Sequence, residues 1–291
     1  METISCIICG SNKSEPYIKV TDRLNSDSTQ FQIVKCECGF VYLNPRPEES
    51  EISKYYSNDN YTPHQQNTVN IFDRIYKFVQ LFTLRWKYRK ISVFKKSGKL
   101  LDIGGGQGEF CNYMKNSGWD VLLQDNSELA RDIAKNNGLD TIISLSSIDE
   151  NEKFDVITMW HSLEHIHEIY KTMDLVKKLL DESGILLIAV PNIDAHEQKY
   201  YKENWVPFDA PRHLYHFSPK SLKQFFYKFG FTVKSEIPMF QDTPYNILLS
   251  MKSKGIFSLA KAGVIWLISC MKTLTKGVNH SSSFLVICKK N

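Results

Sequence analysis

Residues 99–108, K-L-L-D-I-G-G-G-Q-G, constrain the fold more than any other stretch of this chain. An apolar segment, Leu100, Leu101 and Ile103, runs into Gly104, Gly105, Gly106 and Gly108, and helix-forming residues follow from Glu109. That order spells strand, turn, helix. Glycine suits a turn whose backbone bends sharply and lies close to a ligand, where a Cβ would block the approach. The N–H groups that open the next helix then face whatever is bound. A dinucleotide fingerprint would read G-x-G-x-x-G, but counted from Gly104 its third glycine position holds Glu109. The loop instead reads D-x-G-x-G-x-G, with Asp102 two residues ahead of the first glycine. A carboxylate there repels a pyrophosphate and attracts a cation.

From residue 99 onward, strand-like and helix-like segments alternate, the pattern of a parallel sheet. A second strand over 120–124 ends at Asp125 and Asn126. Both Asp125 oxygens are placed to accept ribose hydroxyls at the carboxyl end of a strand neighbouring the first. Ser127 caps a helix over 128–137, and a third strand over 141–144 leads to Ser146 and Ser147. The apolar run F-D-V-I-T-M-W at 154–160 reads as a buried strand, directly followed by H-S-L-E-H at 161–165. A helix over 167–180, Gly184 as its stop, and a strand over 185–190 come next. Ser218 and Pro219 start a helix to Phe229, and strands over 232–237 and 284–288 follow.

These strings resemble the class I S-adenosylmethionine (SAM) methyltransferases. D-x-G-x-G-x-G matches the first motif of that family, and F-D-V-I-x-x-W-H-x-L-E-H is similar to the fourth-strand region of the branch with quinone O-methyltransferases and many glycan methyltransferases. The resemblance implies an α/β, Rossmann-like fold: a seven-stranded, mostly parallel sheet with helices on both faces and a last strand inserted antiparallel beside the sixth. It implies SAM as cofactor, held by Asp102, Gly104, Gly105, Gly106, Gly108, Asp125, Asn126, Ser146 and Trp160. His161 would face the methyl group, as an orienting group or a base, while Glu164 and His165 read as structural or as groups supporting the site from one layer behind it. Enzymes that methylate exocyclic amines of bases carry Asn or Asp, two prolines and an aromatic residue at this junction, and cytosine C5 enzymes need a nucleophilic cysteine. Trp160-His161-Ser162 supplies neither, which points to oxygen, an activated carbon or a different nitrogen as acceptor.

Ahead of this domain stand Cys6-x-x-Cys9-Gly and Cys36-x-Cys38-Gly. Two close cysteine pairs suit a tetrahedral structural zinc site in a small β-ribbon, although the second pair is one residue short of the standard spacing. The ribbon closes with C-G-F-V-Y-L-N-P-R-P at 38–47, a run that resembles bacterial methyltransferases of sugar and cell-envelope biosynthesis. The expected organisation is a ribbon at 1–47, a helical linker or lid at 48–97, and a SAM domain at 98–291. Within the linker, 58–70 reads as a loop and 71–94 as a basic, aromatic helix that packs on the domain or lies on a membrane.

The SAM domain is expected to carry an inserted lid at 193–218 and an apolar helix at 255–273. The lid contains P-R-H-L-Y-H-F-S-P, which again resembles the cell-envelope enzymes and loosely the sugar C-methyltransferases. It offers His213 and His216 as candidate bases, Arg212 for a phosphate or carboxylate of the acceptor, and Tyr215 for acceptor binding. The stretch 256–271 reads as apolar but too short to span a bilayer; with Lys252, Lys254, Lys272 and Lys276 around it, it suits a membrane interface, a packing helix or an oligomer contact.

Lys plus Arg number 36 against 32 Asp plus Glu, too small a bias to predict a nucleic-acid partner. The first ten residues do not read as a signal peptide, and seven cysteines suit a reducing cytoplasm, at the inner face of the membrane where the acceptor is lipid-linked. The leading expectation is methyl transfer to a nucleotide sugar or lipid-linked glycan in polysaccharide biosynthesis, as O-methylation with a histidine base. The alternatives are an isoprenoid quinone O-methyltransferase, an RNA methyltransferase, and a protein that only binds SAM.

Overall fold

The computed structural model describes residues 1–24, 29–56, 71–253 and 255–291, with backbone alone over 71–78. The expected loop at 58–70 and Lys254 lie outside these residues. In chain order the regular elements begin with β1 (Ser14–Thr21), β2 (Gln30–Cys36), β3 (Val41–Leu43), α1 (Ile71–Ser92), β4 (Lys99–Ile103) and α2 (Glu109–Asn116). Then come β5 (Asp120–Gln124), α3 (Glu128–Asn136), β6 (Asp140–Ile142), β7 (Phe154–Trp160), α4 (Ile169–Leu179) and β8 (Leu180–Pro191). The chain closes with α5 (Gln198–Tyr201), β9 (Tyr215–His216), α6 (Pro219–Lys228), β10 (Phe231–Pro238), α7 (Asp242–Leu249), α8 (Ile256–Lys276) and β11 (Ser283–Lys290).

A seven-stranded sheet has the order β10-β11-β8-β7-β4-β5-β6, as the Rossmann-like expectation required, and β11 does lie beside β10. β4 pairs in parallel with β5 and β7, and β5 with β6. Being flanked on both edges, β4 is apolar on both faces: Leu100 and Leu101 are fully buried. α2 starts at Glu109, where the helix-forming residues begin, with Gly108 in a left-handed conformation as its N-cap. α4 starts at Ile169 because residues 163–165 form a 3-10 turn first, and Gly184 lies inside β8 rather than stopping a helix.

The chain forms two compact units, each discontinuous in sequence. One comprises the described residues of 64–162, 168–188 and 287–291, with β4 to β7 at its centre. The other comprises those of 1–63, 163–167 and 189–286. Its own sheet runs β1-β2-β3-β9, so the ribbon is completed by a strand from the insert: Val41 pairs with His216 and Tyr42 with Tyr215. Ribbon and insert therefore share one unit, whereas the sequence reading had assigned them to separate domains. An aromatic chain fills it, Phe40 against Phe217 at 5.5 Å and Phe217 against Phe225 at 5.8 Å between centroids. Each such buried ring contributes about 1.5–3 kcal/mol of transfer free energy. α8 has 21 residues, longer than expected, and by length and composition alone it could cross a membrane.

Candidate active site

Asp102 lies in β4 opposite Leu123 of β5 and Thr158 of β7, and is almost fully buried. Thr158 Oγ1 donates to its Oδ1 at 2.5 Å, and Cys111 Sγ to its Oδ2 at 3.5 Å. Burial raises its pKa to about 6; Thr158, Lys87 and Cys111 pull the other way, and Asp125 adds to the rise. A buried carboxyl raised in this way favours folding most below its unfolded pKa of about 4, and that contribution is lost as pH rises through about 6. A bound cation has the opposite preference, since it needs the carboxylate. Cofactor affinity is therefore expected to fall about tenfold per pH unit below pH 6, measurable by calorimetric titration.

The turn after β4 is bent by glycines in left-handed conformations. At Gly104, φ is 70° and a Cβ would stand 2.5 Å from the Ser162 Cβ. At Gly106, φ is 58° and a Cβ would meet nothing within 4 Å, so the backbone there borders open space. The Gly106 N–H donates to Asp125 Oδ2 at 2.8 Å, and the Ser127 N–H to Asp125 Oδ1 at 2.8 Å. Each oxygen of an ionised carboxylate retains a further lone pair for a ribose hydroxyl. Asp125→Ala is expected to weaken S-adenosylhomocysteine binding about 100-fold, as two charge-assisted bonds are lost. Unchanged affinity would remove Asp125 from the site.

Asn126 is exposed beside it and accepts from Gln124 Nε2 at 3.0 Å. Ser146 is exposed in a 3-10 turn after β6, hydrogen-bonded to Ser144 at 2.8 Å. Trp160 ends β7 with its ring 5.4 Å from Phe110 and the Lys87 ammonium 4.4 Å from its centroid. Its Nε1 is buried without a hydrogen-bond partner among the described residues. His161 follows at a φ of 56°, rare for a residue with a side chain, and Ser162 Oγ donates to the Ile103 carbonyl at 2.7 Å to hold this junction against β4. Lys87, Thr158 and Cys111 escaped the sequence reading, because only tertiary packing brings them to Asp102 and Trp160. An open glycine cradle, a buried carboxylate, a ribose-type acceptor and an unsatisfied indole N–H form a donor set that fits SAM.

The other unit holds a histidine cluster. A Glu164 carboxylate oxygen, a His165 ring nitrogen and a His213 ring nitrogen all lie within 4.8 Å of one another, and the two rings meet edge to face at 4.6 Å. His213 Nδ1 lies 2.8 Å from the Pro207 carbonyl oxygen, which only accepts, so Nδ1 carries the proton and Nε2 is left as acceptor in the neutral ring. His165 is kept neutral, its pKa lowered to about 4 by burial and by His213. Its Nδ1 lies 3.0 Å from both the Arg212 carbonyl and the Tyr56 hydroxyl. Glu164 and His165, read from the sequence as structural or supporting groups, share a cluster with His213, a partner that the separation of 48 positions between His165 and His213 hid.

Three residues of the insert do not fill the roles their sequence suggested. Arg212 is fully buried, and its guanidinium donates to Asp209 at 3.0 and 2.8 Å, to Asp22 at 2.8 Å and to the Tyr55 carbonyl at 3.1 Å. It pins the insert to the ribbon and is not presented to an acceptor. Tyr215 is buried, its hydroxyl accepting from Arg46 at 2.7 Å and donating to the His167 carbonyl at 3.4 Å. His216 is buried in the β3–β9 pairing with its ring 5.4 Å from Phe208, and burial holds its pKa near 3.

The four ribbon cysteines converge. Cys6 and Cys38 sulfurs are 3.6 Å apart, Cys9 and Cys36 3.4 Å, and all four lie within 4.8 Å of one another. Four sulfurs around zinc at 2.3 Å stand about 3.8 Å apart, so the set fits that ion. The short second spacing is accommodated because Cys36 ends β2 and Cys38 sits in the turn before β3. Burial pushes the Cys36 thiol up to about 11 and that of Cys6 higher, so thiolates there depend on a cation.

A family model described as methyltransferase domain matches residues 74–236. Among curated proteins, the ubiquinone biosynthesis O-methyltransferase of Bartonella tribocorum is 27% identical over 153 residues, 48% of this chain and 62% of that one. The protein of the same name from Pelagibacter ubique is 36% identical over 104 residues, 33% of this chain and 43% of that one. The chain thus spans less than two thirds of the length of these relatives. Among solved structures, magnesium protoporphyrin IX methyltransferase from Synechocystis is similar with a TM-score of 0.55 at 12% identity, covering 84% of this chain and 100% of that one. A SAM-dependent methyltransferase from Archaeoglobus fulgidus gives 0.50 at 20% identity, covering 76% and 100%. These two share the fold. With the family match spanning more than half of the sequence, and Asp102, the glycine turn and Asp125 arranged as they are, the chain belongs to the class I SAM-dependent methyltransferases.

Proposed function

We propose that this chain methylates a hydroxyl oxygen of a small acceptor, and that a ring hydroxyl of an isoprenoid quinone precursor is the acceptor class. The observation that carries O-methylation is the fixed tautomer of His213, whose Nδ1–H is held by the Pro207 carbonyl. The acceptor class rests on the relatives named ubiquinone biosynthesis O-methyltransferases. When bound, SAM supplies an electrophilic methyl group on a sulfonium. Asp102, Asp125 and the turn backbone bind and orient it, and the Trp160 indole N–H at the end of β7 offers a further donor. As the acceptor oxygen gains the methyl group it loses its proton to a base, the role proposed for His213 from its tautomer, with Glu164 beside it in the same unit to balance an imidazolium. This reading includes a structural zinc on Cys6, Cys9, Cys36 and Cys38, and a reducing cytoplasm in keeping with seven free cysteines.

A second reading, a nucleotide-sugar or lipid-linked glycan acceptor, draws on the likeness of the cysteine ribbon and the P-R-H-L-Y-H-F-S-P insert to cell-envelope enzymes; the two segments are joined here through β3 and β9. Methyl-labelled SAM and the purified chain, incubated with lysate of cells lacking the gene, separate the two. Label in an acid-stable, organic-soluble product supports the quinone class, and label in soluble anions or glycan supports the sugar. His213→Ala is expected to lower turnover about 100-fold with S-adenosylhomocysteine binding unchanged. Full turnover in that variant would place the base elsewhere.

A further inference from the structure

We propose that the outer face of α8, extended by α7, docks on an anionic phospholipid bilayer, with α8 lying in the plane of the interface. α8 is inside out. The residues it buries against its unit are Ala262, Ile265, Ser269 and Thr273, two of them polar, while Ile256, Phe257 and Leu274 are 78%, 89% and 73% exposed. At 3.6 residues per turn, the exposed apolar side chains form one broad arc, with Lys261 and Lys272 at one edge and Trp266 at the other. α7 packs on α8 through Ile247 against Ala262 and Ile265, and it leaves Tyr245, Leu248 and Leu249 exposed. A contiguous apolar surface of this size on a folded protein marks an interaction site.

Charge selects the occupant. Residues 243–291 contain no Asp or Glu; of their seven lysines Lys261, Lys272 and Lys276 lie on α8, while Lys290 of β11 is paired with Glu182. Desolvation and the nearby Lys199 and Lys276 lower the pKa of Lys272, so these ammonium groups already repel one another. A second copy docked face to face through the same patch would oppose lysines with lysines and bring no carboxylate from this segment to meet them. Anionic headgroups around an apolar interior supply both complements, with lysine stems reaching outward. α8 cannot cross the bilayer while this fold persists, because residues 242–249 before it and 277–286 after it belong to the same unit and Ile247, Ala262 and Ile265 pack its flank. The proposal holds for either acceptor class.

The test is sedimentation of the full chain with vesicles of phosphatidylcholine, with and without phosphatidylglycerol. Binding to the anionic vesicles only is expected. It should fall at least tenfold in the double variant Phe257→Glu/Leu267→Glu, and about fivefold for each of Lys261→Ala and Lys272→Ala. S-adenosylhomocysteine affinity should be unchanged in all of them, which separates loss of docking from loss of fold. In the unmodified chain, brominated lipid should quench a fluorescence component that Trp266→Phe removes. Equal behaviour with both vesicle types overturns the proposal, as does a dimer in solution that Phe257→Glu/Leu267→Glu converts to monomer.

Discussion

Arg212→Leu is expected to cost about 3–5 kcal/mol of folding stability, because it leaves two buried carboxylates without their common partner. Asp22 and Asp209 side chains are 1% and 12% exposed, and the guanidinium bonds to both. Burial pushes the Asp209 carboxyl up, but Arg212, His213 and Arg23 hold it well below the usual carboxylate range. A depressed carboxyl stabilises the fold above its unfolded pKa of about 4, and that contribution is lost only as pH falls through the lower folded value. The loss in Arg212→Leu should therefore be full at neutral pH and shrink in acid. Adding Asp22→Asn and Asp209→Asn should restore part of the stability, since neutral amides tolerate the site without a cation. Urea melts of the unmodified chain, Arg212→Leu and the triple variant measure this. A variant with an unchanged midpoint and a raised KM would return Arg212 to the acceptor-binding role its sequence suggested.

Removing metal from the cysteine cluster is expected to lower the thermal midpoint by about 10–20 °C, from about 5 kcal/mol at 2–4 °C per kcal/mol. The reason lies in connectivity. Cys36 ends β2, Cys38 leads into β3, and β3 carries β9 of the insert, with the Leu43 N–H donating to the Leu214 carbonyl at 2.9 Å. Leu214 in turn donates to the Glu164 carbonyl at 2.8 Å, so loss of the ribbon should also loosen the histidine cluster. Elemental analysis should find one zinc per chain, and Cys9→Ser/Cys36→Ser should reproduce the effect of a chelator. A purified chain without metal, and with the same midpoint in chelator, would leave the cysteines as reduced packing residues.

What the sequence determined by itself was local and periodic. Glycines at 104, 106 and 108, all with positive φ in the structure, were legible because no other residue type takes that turn freely. Alternating apolar runs placed β4 to β8, and the family resemblance gave seven strands with the last beside the sixth; the full order came from the structure. Asp102 and Asp125 were legible because each sits at a fixed offset from a strand end, and Ser218 because it caps α6 from next door. The chemistry of the insert was not. Arg212, Tyr215 and His216 look like a binding set when written in a line, yet their partners, Asp22, Arg46 and Val41, stand in the ribbon far upstream. Conversely Glu164 and His165 looked structural or supporting until the fold brought His213 to them. Spacing encodes backbone conformation, which depends on neighbours in sequence. Burial, charge pairing and the outward turn of α8 depend on contacts between distant segments, and only the tertiary structure decided them.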